Sequence, residues 1–361
     1  MDWRCDIASG NVRRVTGRIA GHAATASRAW SERRCARLQL IDADGRVGQG
    51  EASPLPGYSP DTLEECEAIL EAVVAMAPAE FDNIEHALAT MNLTRATPAA
   101  RFAVETALLD LVSQRTERSI ASLLDDEDRE PHDVPLAALC VGSSPAAIMA
   151  AARAAWNQGI RTIKLKIGQP HAFAAECELI AQVRHHFGDE LALRLDANAA
   201  WNPDEAMDRL TALAIFAPEL VEQPVAPDRM AQLIGSPVAI AADESLHAAN
   251  ADIDRLFQSE VCHVAVLKPM VIGGLIECRR IARLAHAQGV DTIVSHLFDG
   301  PIALAAAAEL ALSLPDTRAC GLAPHAGLTV WPRVRVPQLR PNRVVDYSRG
   351  GLGVPLVEGG R

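Results

Sequence analysis

The chain has 361 residues, 49% hydrophobic and 22% charged, an ordinary globular mixture that excludes disorder as its main state. Its length suits two to three domains, or one large barrel with an attachment. Thirty-four basic against forty-six acidic residues give a net charge of −12, an average potential of the wrong sign for a duplex-binding surface, local basic patches aside, so no nucleic-acid partner is expected.

A membrane span needs ~18 uncharged apolar residues, and the best candidate, Ile302 to Leu314, is short and carries Glu309. Membrane association is therefore not expected. Met1 to Arg14 has scattered charges and no apolar h-region, so the expectation is a cytoplasmic protein. The eight cysteines (Cys5, Cys35, Cys66, Cys140, Cys177, Cys262, Cys278 and Cys320) form no C-x-x-C pair and read as reduced thiols filling core.

The first part of the chain mixes two kinds of signal. Val12 to Ala20 and Arg34 to Asp42 read as strands. Pro60 to Met76 reads as a helix, with Asp61 as cap and Glu64 three residues on, and a second helix runs through Arg101 to Leu111. This is an α+β module, assigned to residues 1–125. The charged run Asp125 to Asp133 reads as a linker.

From Val134 a regular alternation begins. Short apolar runs at Pro135–Val141, Thr162–Ile167, Leu191–Asp196, Leu220–Val225, Val238–Asp243, His263–Lys268, Asp291–His296 and Ala319–Leu322 read as strands. Amphipathic stretches such as Ala146–Gln158, Ala172–His186, Asp204–Ile215 and Leu275–Gln288 read as the helices between them. Eight strand-helix units of roughly 25 residues describe a (β/α)₈ TIM barrel, assigned to residues 134–325. A doubly wound open sheet would also alternate. The segment 326–361 is expected to pack back on the first module.

In a barrel the site lies where the strands end, so the polar residues there carry the chemistry. Strand two contributes Lys164 and Lys166, strand three Arg194, Asp196 and Asn198, strand four Glu222, strand five Asp243 and Glu244, and strand six Lys268. Alternation along a strand puts Lys164 and Lys166 on one face, and Arg194, Asp196 and Asn198 on one face. Lys166, Asp196, Glu222, Asp243 and Lys268 follow one another by 30, 26, 21 and 25 residues, one strand-helix unit each. Three converging carboxylates need a cation, and an all-oxygen set without histidine or cysteine suits Mg²⁺, with Mn²⁺ as substitute.

A metal held this way leaves positions for a small carboxylate substrate and stabilises the enediolate formed when a neighbouring proton is removed. Lysine can be the base if burial, a second lysine and the metal lower its pKa. Lys166 and Lys268 stand on opposite sides of the barrel, so a one-base elimination and a two-base epimerisation can both be built from this set.

These residues resemble the enolase superfamily, in its muconate-lactonising-type subgroup. The likeness covers the whole chain and rests on KLKIG (164–168), LRLDANAAW (193–201), VEQPV (221–225), ADES (242–245) and VLKP (266–269), with RFAVETALLDL (101–111) in the capping module. It implies that Asp196, Glu222 and Asp243 hold Mg²⁺, that Lys166 is the base with Lys164 as electrostatic partner, and that Lys268 is the opposite acid, base or cation. GEASPLPGYSPDTLEE (50–65) together with LRLDANAAW most resembles the o-succinylbenzoate synthases of menaquinone biosynthesis, lyases that dehydrate a succinyl-hydroxycyclohexadiene carboxylate. The alternatives are a dipeptide or N-acylamino acid epimerase and a muconate-type cycloisomerase using both lysines.

Strand seven departs from the subgroup. Ser295-His296-Leu297-Phe298 is similar to mandelate racemase, whose histidine there pairs with an aspartate on strand six, a place held here by Lys268. His296 and Asp299 are candidates for substrate contact or support, as are Asn198, Arg194 and Glu244; His325 is a weaker one. Substrate specificity is expected from the loops at Gly21 to Ser31 and Pro54 to Tyr58. The fold resemblance allows a homo-oligomer.

Overall fold

The computed structural model describes residues 3–24, 29–125, 132–248, 250–315, 317–323, 335–345 and 349–355. Much of the linker, the tip of the 21–31 loop and His325 lie outside the described residues.

The amino-terminal part is an antiparallel three-stranded sheet, Ser9–Ala24, Ala29–Ile41 and Val47–Ala52, covered by helices Leu63–Ala75 and Pro98–Thr116. The strand expected at Val12 to Ala20 is longer at both ends. The longer helix lies directly on the third strand, and Gly50 permits it: a Cβ there would stand 2.0 Å from the Ala103 carbonyl oxygen.

The capping box falls one residue later than expected. Thr62 caps the first helix and exchanges hydrogen bonds with Glu65, because a reciprocal pair satisfies two amides that Asp61 alone would not. Asp61 is buried and accepts instead from the Ala99 amide, at the start of the second helix, whose own N-cap Thr97 makes no side-chain bond. A short helix, Ile120–Leu124, was not anticipated.

Seven parallel strands then pair in chain order: Ala137–Cys140, Thr162–Lys166, Ala192–Asp196, Leu220–Glu222, Ile240–Ala242, Val264–Leu267 and Asp291–Val294. The eighth run closes the cylinder. The Cys320 amide donates to Pro135 and the Ala137 amide to Cys320, while the Gly321 amide donates to Val294, so 319–322 joins strand seven to strand one. This closure rules out the open sheet.

The site depends on what faces inward. Leu220, Ala241, Val264, Val266 and Ile293 form a small apolar cluster of their own, apart from the main core between sheet and helices. They occupy the same alternation as Glu222, Asp243, Lys268 and Ser295, so they floor the barrel beneath those residues. Helix Pro301–Ser313, buried along its length, packs against the short helix Ile120–Leu124, and its Glu309 accepts from the Ala121 amide.

Residues 349–355 return to the capping part. The Leu352 and Gly351 amides donate to Asp110 and Ser113 of the long helix. All eight cysteines are free thiols, seven buried and Cys177 half-buried. No helix among the described residues is long and apolar enough to cross a membrane.

Candidate active site

Strand register alone brings the first charges together. Lys166 is paired with Asp196, and Asp196 with Glu222, so three charged residues stand side by side on one rim of the sheet. Asp243 and Lys268 each lie one residue past their strand, at the entrance of a short helix, Glu244–His247 and Pro269–Ile272 respectively.

The lysines neutralise the carboxylates directly. Lys164 Nζ lies 2.8 Å from Asp196 Oδ2 and 2.6 Å from Glu222 Oε1. Lys166 Nζ donates to Asp196 Oδ2 at 2.6 Å and to Asn198 Oδ1 at 2.8 Å. Lys268 Nζ is bonded to Asp243 Oδ2 and lies 3.1 Å from the Tyr58 hydroxyl. Asp196, Glu222 and Asp243 are fully or almost fully buried, a placement that costs several kcal/mol per charge unless each is paired.

The backbone around these groups is bent to serve them. Gln223, Asn198 and Ala199 have φ of 40°, 46° and 58°, in the sparsely populated left-handed region. The buried Gln223 amide repays its bend by accepting from the Asp243 and Ser245 amides and donating to the Ser245 hydroxyl, which fixes the loop bearing Asp243. The Asn198 amide donates to Asp196 Oδ1.

Carboxyl groups outnumber amines in this cluster. With Glu244, four carboxylates face three ammoniums. Burial first, then the neighbouring Asp196, pushes Glu222 up to about 7; burial and Asp243 push Glu244 up to about 8. Burial works against ionisation of Asp196 too, but the charges of Lys164 and Lys166 prevail and hold its carboxyl below the usual range. Asp243 Oδ1 and Glu244 Oε2 are buried without a hydrogen-bond partner.

Among the described residues, no three His, Cys, Asp or Glu side chains stand ready-grouped as a metal cluster. The reason is local: the Lys164 ammonium bridges Asp196 and Glu222, and Lys268 is drawn onto Asp243. The donor set nonetheless fits a hard dication. It is all oxygen, buried, set among fewer amines than carboxyls, and includes an orphaned Asp243 oxygen.

The cavity above the rim has a volume of about 350 Å³. Its charged end is lined by Lys164, Lys166, Glu222 and Lys268, its base by Val266 and Ile293 of the apolar floor, and its walls by residues such as Leu55, Leu139 and Phe298. An anionic head and an apolar body match such a space. His296 lines it too, its Nδ1 accepting from the Phe298 amide.

Of two anticipated contacts, Arg194 lines the deep end of the cavity and Asp299 does not line it. The Arg194 guanidinium binds Glu219 and the Ala319 carbonyl, on the floor side of the barrel; Arg194 shares the inward face with Asp196 but lies two residues deeper. Asp299 turns from the cavity to the buried Arg33 of the capping sheet and to the Leu297 amide. Residues not singled out by the sequence also enter: Tyr58, His247 and Gln223. Gln223 follows Glu222 in VEQPV, but its φ and its two amide partners belong to the folded chain.

Comparison with known proteins is consistent along the whole length. Residues 11–125 match the mandelate racemase / muconate lactonizing enzyme N-terminal domain and residues 147–357 the enolase C-terminal domain-like family. An o-succinylbenzoate synthase of Desulfotalea psychrophila is 29% identical over 78% of this chain and 84% of its own. Muconate cycloisomerase 1-1 of Acinetobacter lwoffii is 31% identical over 88% of this chain and 83% of its own. A dipeptide epimerase of Enterococcus faecalis, solved with Mg and the dipeptide L-Leu-L-Tyr, superposes with a TM-score of 0.85 at 26% identity, over 97% of this chain and 99% of that one.

Proposed function

We propose that this chain, which belongs to the mandelate racemase / muconate lactonizing enzyme family of the enolase superfamily, is a Mg²⁺-dependent lyase of the o-succinylbenzoate synthase type. The observation that carries this reading is the unequal setting of two lysines in one cavity. The Lys166 side chain keeps 20% of its surface exposed and looks into the open space; Lys268 keeps 7% and lies beneath Tyr58. One has room to exchange partners with a substrate, and the other is fixed as a buried cation. That asymmetry suits one-base elimination better than proton transfer from both faces.

Asp196, Glu222 and Asp243 would hold Mg²⁺, which supplies charge stabilisation to a carboxylate whose α-carbon is losing a proton. Lys166 takes that proton from the succinyl-hydroxycyclohexadiene carboxylate, and the C–H electron pair moves toward the carboxylate. Lys164 and Lys268 stay as ammoniums and balance the developing negative charge. The electron pair then returns to form the ring double bond as the C–O bond to the hydroxyl breaks. Lys166 gives its proton to the departing oxygen, so the products are o-succinylbenzoate and water and the amine is restored. Aromatisation drives the second half, leaving the protein to orient the ring and stabilise one anion.

A second reading, epimerisation of a dipeptide or N-acylamino acid or muconate-type cycloisomerisation, draws support from the placement of Lys166 and Lys268 in the same cavity. An assay of all three substrate types with Mg²⁺ in D₂O separates them. The dehydratase reading expects o-succinylbenzoate from the cyclohexadiene. Its absence, with deuterium appearing in both epimers of a dipeptide or a lactone forming from muconate, would replace that reading with the second.

A further inference from the structure

The capping part reaches into the reaction chamber at one hydroxyl. Tyr58 follows Gly57 in the turn after the third capping strand, and its own amide donates to the Leu55 carbonyl while the Ser59 hydroxyl accepts from the Leu55 amide. The turn is thereby closed on itself, and its tyrosine is aimed at the barrel mouth. There the hydroxyl meets three groups from two different strand ends. It donates to Asp243 Oδ2 at 3.0 Å, accepts from Lys268 Nζ at 3.1 Å, and lies 3.4 Å from His247 Nε2. The Tyr58 ring covers the ammonium at 5.2 Å from its centroid and leans on His247 at 5.4 Å.

Lys268 would be under-partnered without the hydroxyl. Lys268 has three donors and, besides Tyr58, one side-chain partner among the described residues, Asp243. The Lys268 side chain has four rotatable bonds, so a single contact to Asp243 leaves the nitrogen free to swing about it, whereas a second contact from outside the barrel fixes its direction.

We infer that Tyr58 is a positioning residue for Lys268: its hydroxyl, supplied by the capping part, holds the ammonium on the face of the cavity opposite Lys166. The catalytic half of this inference rests on the proton-abstraction reading above. The structural half does not, because it concerns only how firmly one amine is held. Tyr58 thereby makes the geometry of Lys268 depend on the docking of the capping part, and a chain whose cap is displaced would keep its base and lose its opposing cation.

The test uses the full-length Tyr58→Phe chain, which keeps the ring and removes only the hydroxyl. Brief acetylation with acetic anhydride, quantified by mass spectrometry as the ratio of Lys268 to Lys166 modification, reads the amine without needing a substrate. The expected result is a rise in that ratio of fivefold or more over the parent. With the cyclohexadiene substrate, kcat should fall tenfold or more while KM changes less than threefold, since the ring and the cavity walls remain. A ratio within twofold of the parent overturns the inference, whatever the activity. A raised ratio with unchanged kcat overturns its catalytic half and leaves Tyr58 a structural contact only. If the parent turns over none of the three substrate types, the labelling ratio still decides, so failure of the functional reading and failure of this one are told apart.

Discussion

Two groups of buried carboxylates among the described residues differ in what chiefly satisfies them. At the barrel mouth Asp196, Glu222 and Asp243 face lysine ammoniums. At the seam with the capping part Glu105 and Glu51 face backbone amides: Glu105 accepts from Leu275 and Ile276 at the start of helix Leu275–Ala287, with Arg101 of its own helix at 3.1 Å, and Glu51 accepts from Gly300 and Ala303 at the start of helix Pro301–Ser313. Gly274 shows how closely the seam is fitted, because a Cβ there would come within 2.5 Å of the Glu105 carboxylate. A helix N-terminus cannot leave its carboxylate, but a flexible ammonium can exchange it for another charge. The seam therefore locks the two parts together, and the mouth stays chemically exchangeable.

The comparison breaks most visibly at the base. Lys166→Ala should reduce turnover by about a thousandfold or more, with the thermal midpoint essentially unmoved. Retention of more than a few per cent of activity in steady-state kinetics would remove Lys166 from its role.

Asp243→Asn takes one charge from the proposed ligand set. Calorimetric titration with Mg²⁺ should show affinity weakened by about a hundredfold, ~2.7 kcal/mol. Unchanged metal affinity would mean that the ligand set is wrong.

Glu105→Ala should behave in the reverse manner, lowering stability in urea unfolding by about 2 kcal/mol or more as the Leu275 and Ile276 amides lose their acceptor and Arg101 its carboxylate. Metal affinity should stay near that of the parent. A Glu105 variant that lost metal binding without losing stability would erase the distinction between seam and mouth.

The most gradual expected effect is a pH dependence at Asp110, another amide-facing carboxylate, which accepts from Gln49 and Leu352. Burial pushes it up from 3.8 to about 6, so the folded chain binds its proton more tightly than the unfolded one. Its contribution to stability is then complete below about pH 4 and lost as pH rises through about 6, worth at most about 3 kcal/mol. Urea midpoints between pH 4 and 7 should show that slope in the parent and not in Asp110→Asn.

The mouth was more legible in the sequence than the seam, and the reason is periodicity. Lysines and carboxylates at the ends of apolar runs, one per strand-helix unit, mark a rim because alternation and register are local rules. Glu51 and Glu105 carry no such mark; their amide partners lie 249 and 170 residues away, and only the docked structure shows them. Arg194 lines the cavity but its guanidinium is held by Glu219, and Asp299 turns to Arg33; alternation gives a face but neither depth nor the pull of such partners. Tyr58 lay in a stretch assigned to specificity, yet its contact with Lys268 spans 210 residues. The capping box slipped by one because Asp61 was drawn to a tertiary partner, the Ala99 amide.

The exchange of a substrate's α-proton with solvent deuterium, followed by NMR in the parent, Lys166→Ala and Lys268→Ala chains with Mg²⁺, tests the chemistry most directly. Exchange should be present in the parent, abolished without Lys166 and slowed but detectable without Lys268. Exchange that survives in Lys166→Ala at the parent's rate would contradict the assignment of Lys166 as the group that opens the reaction.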